Sequence, residues 1–382
     1  MESFTWKYLV FYLLTLLFHS QVSFPSSFSS SLSSIPPCFA LLQFNKSFSI
    51  SASHCDDINY PKTASWDESK DCCSWDGVEC DKITGHVISL DLSCSSLYGT
   101  INSNSSLFLL HHLRRLNLAG NDFNQSLLPS EFGLFKNLTH LNLTFSYFFG
   151  QIPFEISQLS LLVSLDLSYN NLLVEAPVWK RLVDNLTQLK ELLLDSVDMS
   201  SVRPSSLMNL SSSMTTLSLS FCQLQGEIED NNFHLPGIQI LILQGNKDLR
   251  GYFPKYNWTN SLKFLDFSST SFSGELPDSI GNLKSLNHLD LSHCSFTGSI
   301  PASFGNLTQI TYLKLSSNSF TGSIPESLKN LIQLSFLDLS NNSFTESIPA
   351  SLGNLTKITF LDLSINKLSG EIQLPLPIFF MF

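Results

Sequence analysis

Charge is what this sequence has least of: Asp, Glu, Lys and Arg together make up 14% of 382 residues. What charge there is runs acidic, with a formal net charge of −11. No basic stripe is present to neutralise phosphates, which excludes nucleic acid as a partner. Long apolar runs are missing too. The run at residues 8–18 (YLVFYLLTLLF) falls short of the roughly 20 residues that a membrane-spanning helix needs. The apolar end, residues 374–382, is short and broken by Pro375 and Pro377. No phosphate-cradling glycine loop occurs, and the histidines are scattered except for His111 and His112, a pair expected on the outer, convex side of its unit. No catalytic constellation, metal site or cofactor motif emerges, so an enzyme is not expected.

What is present begins with an export signal. Lys7 precedes the apolar run, and residues 20–34 offer many small side chains for cleavage. Residues 1–30 are read as the signal peptide. Export implies an oxidising compartment, in which cysteines pair. Six of the eight cysteines lie between Cys38 and Cys94, which points to a stapled cap over residues 31–88.

The next feature is a period. A Leu-x-Leu phrase (once Leu-x-Phe) starts at Leu90, Leu116, Leu141, Leu165, Leu192, Leu217, Leu241, Leu265, Leu289, Leu313, Leu337 and Leu361. The intervals are 24 to 27 residues, and the last five are all 24. About twelve units therefore fill residues 89–372, and residues 373–382 are a non-repeat apolar tail. In the unit LKLSSNSFTGSIP, alternation at Leu313 and Leu315 predicts a short strand with both leucines inward. Five residues after each first leucine an Asn often stands, as at Asn121, Asn170, Asn246, Asn318, Asn342 and Asn366. An amide inside a bend satisfies backbone groups of its own and the neighbouring coil. Cys222 and Cys294 hold the same position and read as buried free thiols. Three coils separate them, beyond disulfide reach.

After the turn comes Gly-x-Ile-Pro, as at residues 298–301 and 322–325, with Glu346 replacing Gly once. Here the sequence resembles the plant-specific class of leucine-rich repeat. The resemblance implies an α/β solenoid: a right-handed superhelix, a parallel β-sheet on the concave face, a second short strand at Gly-x-Ile-Pro, and a disulfide-stapled N-terminal cap. The cap phrases CFALLQFNK, CCSWDGVEC and TGHVISLDLSC, with Trp66 and the long fourth unit (LVEAPVWKRLVDNLTQLK), resemble plant receptor-like proteins, including those conferring resistance to leaf-mould fungus. By that resemblance Cys38 pairs with Cys72 and Cys73 with Cys80. Cys55 and Cys94 are then left for each other. Family members continue past this point into further repeats and a membrane helix, so the chain is expected to be a C-terminally truncated member.

Residues flanking the inward leucines are expected to face the concave surface. The column before the first leucine includes Arg115, His140, Glu191, Ile240, Phe264, His288, Tyr312, Phe336 and Phe360. The column between the leucines includes Leu193, Ile242 and Lys314 among a row of aspartates. Phe264, Tyr312, Phe336 and Phe360 form an aromatic run that suits a ligand groove; plain consensus accounts equally for many of these residues. Lys314, His288, Ile240, Ile242 and Leu193 depart from consensus. Sequons at Asn45, Asn104, Asn124, Asn137, Asn185, Asn209, Asn257, Asn306, Asn341 and Asn354 predict a glycoprotein. The Asn-Leu-Thr sequons at Asn137, Asn185, Asn306 and Asn354 are expected on the convex side. Asn142 lies in the concave column and is expected to be unoccupied. The resemblance implies an extracellular, membrane-anchored recognition protein that takes a protein or peptide ligand and signals through a co-receptor and an adaptor kinase. The alternatives are a secreted inhibitor of microbial cell-wall hydrolases, polygalacturonase-inhibitor-like, and an inactive fragment.

Overall fold

The computed structural model describes residues 36–51, 55, 60–228, 236–255, 261–370 and 380–381. The signal peptide, Asn257 and most of the apolar tail lie outside the described residues.

The first leucine of each phrase and its two neighbours form a short strand, three residues long in all units but the first, that pairs in parallel with the next, first leucine opposite first leucine. The result is a 14-stranded sheet among the described residues. Twelve strands come from the units, and Val78–Cys80 of the cap adds one edge by pairing antiparallel with Val87–Asp91. Phe380–Met381, from the expected tail, pairs in parallel with Phe360–Asp362 at the other edge. The inward leucines are fully buried, as at Leu289 and Leu313. Burying one such side chain stabilises by roughly 1.5–3 kcal/mol, so the array gains with every coil added.

The asparagine position works as a coil-to-coil clamp. Asn121 Nδ2 donates to Leu92 O and Leu118 O, and its Oδ1 accepts from Leu97 N of the preceding coil. Asn318, Asn342 and Asn366 repeat the pattern. Cys222 and Cys294 are free, and each thiol donates at 3.1 Å to a carbonyl of the preceding coil, Leu194 O and Phe267 O. Two residues further, Phe272, Phe296, Phe320 and Phe344 are fully buried and line the second layer.

The second layer departs from expectation in register. In the regular units the strand is the phrase before Ile-Pro and ends on the glycine, as in Ser295–Gly298 and Ser319–Gly322. The reason is backbone sign: Gly274, Gly298 and Gly322 have φ of 75° to 85°, and proline three residues on donates nothing to a ladder. Glu346 sits at the same bend with φ 65°. A side chain there costs about 1–2 kcal/mol, against roughly 0.5–1 kcal/mol for the greater chain freedom of glycine. Glu346→Gly is therefore expected to raise stability by about 0.5–1 kcal/mol, read as a higher midpoint in urea.

The fourth unit holds a helix that the repeat pattern does not predict. Helix α1 (Pro37–Lys46) opens the cap, and helix α2 (Ala176–Asn185) replaces the short 3₁₀ turn of other units. Both begin with proline in the first turn, where its missing N–H is harmless. Trp179 and Leu182 of α2 are buried, and Trp179 Nε1 donates to Ser206 Oγ at 2.9 Å.

In the cap, Cys38 is joined to Cys72, Cys73 to Cys80, and Cys55 to Cys94. Ala40, Leu41 and Phe44 of α1 cover the first coil. Gly120 (φ 68°) lies so close to the Cys55–Cys94 bridge that a Cβ would stand 2.8 Å from Cys55 Sγ.

Candidate recognition surface

Alternation along each short strand turns the residues that flank the leucines toward the concave face. Three regions follow one another there. At the cap end lies a polar hollow of about 540 Å³, lined by Glu79, Asp91, Arg115, Asn117, His140 and Asn142 among others. Arg115 Nη2 meets Glu79 Oε2 at 2.8 Å, with both side chains more than half exposed. Such a pair is worth little for stability and leaves the guanidinium available. His140 sits in register beside Arg115. Asn142 uses its Oδ1 to accept Thr144 N.

In the middle, Leu193, Ile240 and Ile242 are half-buried and Glu191 is exposed. Leu193 and Ser218 lack the carboxylate that their column usually supplies. Asp195 compensates: its Oδ1 accepts from Ser218 Oγ at 2.7 Å and from Ser220 N at 2.6 Å. Ile240 abuts Phe264 in register, so the apolar strip runs into the third region.

The third region is a continuous stack of five rings. Phe264 and His288 stand 3.8 Å apart, His288 and Tyr312 4.2 Å, Tyr312 and Phe336 4.3 Å, and Phe336 and Phe360 4.3 Å. Interplanar angles are 4° to 11°. His288, which the sequence marks only as a departure from consensus, is thus the ring that makes the aromatic run continuous. Burial between its neighbours depresses its imidazole to about 4, only partly offset by the Asp290 carboxylate. The Tyr312 phenol is raised to about 12, by burial first and then by the aspartates.

Beside the rings runs the second column: Asp266, Asp290, Lys314, Asp338 and Asp362. Asp266, Asp290 and Asp338 are 7–8% exposed. Their Oδ1 atoms accept the N–H two residues on, from Ser268 at 2.8 Å, Ser292 at 2.9 Å and Ser340 at 3.0 Å. This closes the C-terminal end of each strand and gives the column a structural purpose. Burial raises the Asp266 carboxyl to about 6, against the bonds from Ser268 and the Lys314 charge that lower it.

Other features escape the sequence pattern. The residue four after each first leucine has φ between 50° and 76°, whatever its identity. Phe145, Tyr169 and Phe221 hold that strained position and are 45–56% exposed, and Phe145 and Tyr169 stack at 4.3 Å. His86 and His112 stack at 3.8 Å. His111 and His112 lie in the turn between the 3₁₀ segment Ser106–Leu109 and the strand Arg115–Asn117. Asn137 lies four residues before its leucine, in the entering turn, whereas Asn185, Asn306 and Asn354 lie seven before. The Asn-Leu-Thr phrase occurs in three registers of the repeat, counting Asn142 one residue after its leucine, so the phrase alone does not fix its place in a coil. Asn104, Asn124, Asn209 and Asn341 are exposed and Asn45 half-buried. The one grouping of possible metal ligands among the described residues is Cys38, Asp71 and Cys72, whose two sulfurs are joined to each other. No helix of the described residues is long and apolar enough to cross a membrane.

A parallel-stranded solenoid with an asparagine clamp and a cysteine-stapled cap defines a class, and the chain belongs to the leucine-rich-repeat family. Family models match as "Leucine rich repeat N-terminal domain" over residues 39–81, "Leucine Rich Repeat" over 112–135 and "Leucine-rich repeat region" over 238–376. Within that family its sequence stands among plant receptor-like proteins. It is 43% identical to Receptor-like protein 6 of Arabidopsis thaliana, over 60% of this chain and 24% of that protein. It is 41% identical to Receptor-like protein Cf-9 of Solanum pimpinellifolium, over 67% of this chain and 31% of that protein. The chain thus spans about a third or less of these relatives. Among solved structures it is similar to a TDR receptor (TM-score 0.63, 32% identity, 72% of this chain and 46% of that one). It is also similar to a plant ice-binding protein (TM-score 0.58, 27% identity, 89% of this chain and 96% of that one).

Proposed function

We propose that this chain is the extracellular ligand-recognition part of a plant receptor-like protein. It acts by binding and not by catalysis. It senses a pathogen or apoplastic protein or peptide in defence signalling, and it relays occupancy through a co-receptor and an adaptor kinase. The observation that carries the reading is the five-ring stack on the concave sheet. Stacked half-buried aromatics with flanking charge are the composition of a recognition hot spot. The likeness to receptor-like proteins supports the same reading.

The test uses the secreted chain on a sensor surface, with proteins from fungal culture filtrate as analyte. Tyr312→Ala and Lys314→Ala are each expected to weaken capture of the bound species about tenfold or more. Unchanged affinity in both variants would sink the assignment to this surface. Inhibition of a fungal polygalacturonase by the same preparation would favour the hydrolase-inhibitor alternative.

The likeness to an ice-binding protein favours a second reading, in which the second sheet orders water. Its outward face carries regular hydroxyl rows, Ser295 with Thr297 and Ser319 with Thr321, all exposed. Ice recrystallisation assays decide this point, and loss of the effect in Thr297→Val/Thr321→Val would assign it to that face.

A further inference from the structure

The stack has a property that narrows its ligand. Because each ring covers the face of the next, the row presents edges and hides its π faces. A sugar needs an open ring face to lie on, and so does a cation–π contact. The row offers instead a continuous apolar ridge at right angles to the strands. Charge must be met beside it, in the aspartate column.

Each carboxylate there has one oxygen engaged and one to spare. The protein bonds to Asp266, Asp290 and Asp338 all fall on Oδ1. No hydrogen bond from the described residues falls on their Oδ2 atoms, and these residues are more than nine-tenths buried. A buried carboxylate with an open oxygen is costly unless a cation or donor meets it. Lys314 is the one cation in the column, and it divides four acids into two pairs, Asp266 with Asp290 and Asp338 with Asp362.

The pair centres are three coils apart, about 14 Å at 4.7–4.9 Å per strand. An extended chain covers that distance in about four residues at 3.3–3.6 Å each. We propose that the ridge binds an extended peptide segment lying across the strands, with basic residues four apart over the two acid pairs and an acidic residue midway against Lys314. The aliphatic stems of the basic residues pack on the ring edges while their heads reach the open oxygens. This rests on the reading of the concave face as a ligand surface, and it adds the charge pattern of the ligand.

The probe is a fluorescein-labelled seven-residue peptide, Ala-Lys-Ala-Glu-Ala-Lys-Ala, followed by anisotropy on the whole secreted chain. Two controls are the charge-reversed peptide and a shuffle with the two lysines adjacent. The patterned peptide is expected to bind at least about tenfold tighter than either, and the advantage should shrink in high salt. The variants are Asp290→Asn and Asp338→Asn. Asparagine already fills this column at Asn117 and Asn142, where Oδ1 takes the same backbone N–H. The variants therefore keep the strand closure, and thermal melts check that they do. Each is expected to weaken the patterned peptide about fivefold or more. Lys314→Glu is expected to shift the preference to a peptide with lysine in the middle. Equal affinity for patterned and reversed peptides, or no saturable binding of the patterned one up to about 1 mM, overturns the proposal. Capture of a filtrate protein that depends on Tyr312 but ignores this charge pattern leaves the receptor reading standing and removes only this refinement.

Discussion

Asn246→Ala is expected to lower the unfolding free energy by about 3–5 kcal/mol. Asn246 is 0% exposed. Its Nδ2 donates to Leu219 O at 2.8 Å and Leu243 O at 2.7 Å, and its Oδ1 accepts from Leu224 N at 2.9 Å. Alanine leaves an N–H and two carbonyls without these partners, at a position with no exposed surface. Each orphaned buried group costs about 1–3 kcal/mol. The groups belong to two coils, so the loss uncouples neighbours as well as loosening one bend. A second substitution gives the argument an internal control. Asn246→Cys should cost less, about 1–2 kcal/mol, because cysteine already serves at this position. Cys222 donates to Leu194 O, and Met199 N, two residues past the equivalent site in the preceding coil, donates to the Cys222 carbonyl instead of to an amide oxygen. Urea melts of the three proteins measure the order. Equal stability of Asn246→Ala and the parent would show that the clamp does not hold the coils.

The solenoid was legible because its cause is periodic. A leucine pair every coil has one way to bury itself in a parallel sheet, and the strand registers follow the leucines one for one. Helix α2 was not legible from the repeat, because its phrase breaks the period and the Leu-x-Leu spacing says nothing about the ten residues of Ala176–Asn185. Its helicity comes from Trp179 and Leu182 finding a buried seat. The left-handed bend was invisible for a different reason. Phe145, Tyr169, Phe221 and Ile365 are poor residues for positive φ, and the repeat geometry imposes it on them. The recognition surface was half legible. Four of the five stacked rings stand out by type, while His288 does not read as a ring among phenylalanines until the coils are aligned. The aspartates were expected at the surface, since they alternate with inward leucines. The three-residue strands end at once, and Ser268, Ser292 and Ser340 turn back onto Asp266, Asp290 and Asp338.

His288→Phe is expected to change how stability depends on pH, and to do so more than it changes stability near neutrality. Phenylalanine continues the stack between Phe264 and Tyr312 and brings no proton. In the parent, burial holds the His288 imidazole at about 4, below its ordinary 6.5. The unfolded chain therefore takes up its proton first, and the stability held above pH 6.5 is lost as pH falls toward 4. The full difference corresponds to about 3 kcal/mol. The ring is partly open to water, so about 1–2 kcal/mol of it should be realised. Asp266 works in the opposite sense. Its folded carboxyl is raised to about 6 from 3.8, so the folded state takes up its proton first and gains stability as pH falls through that window. The two groups oppose each other between about pH 4 and 6, which flattens the profile of the parent. Removing the histidine exposes the aspartate: His288→Phe should become more stable on acidification from pH 7 to 4, by about 1–2 kcal/mol relative to the parent. Asp266→Asn should do the reverse and leave a steady loss toward acid. Thermal melts across that range, on the parent and both variants, measure the slopes. Parallel slopes for the parent and His288→Phe would mean that the ring carries no proton-linked stability.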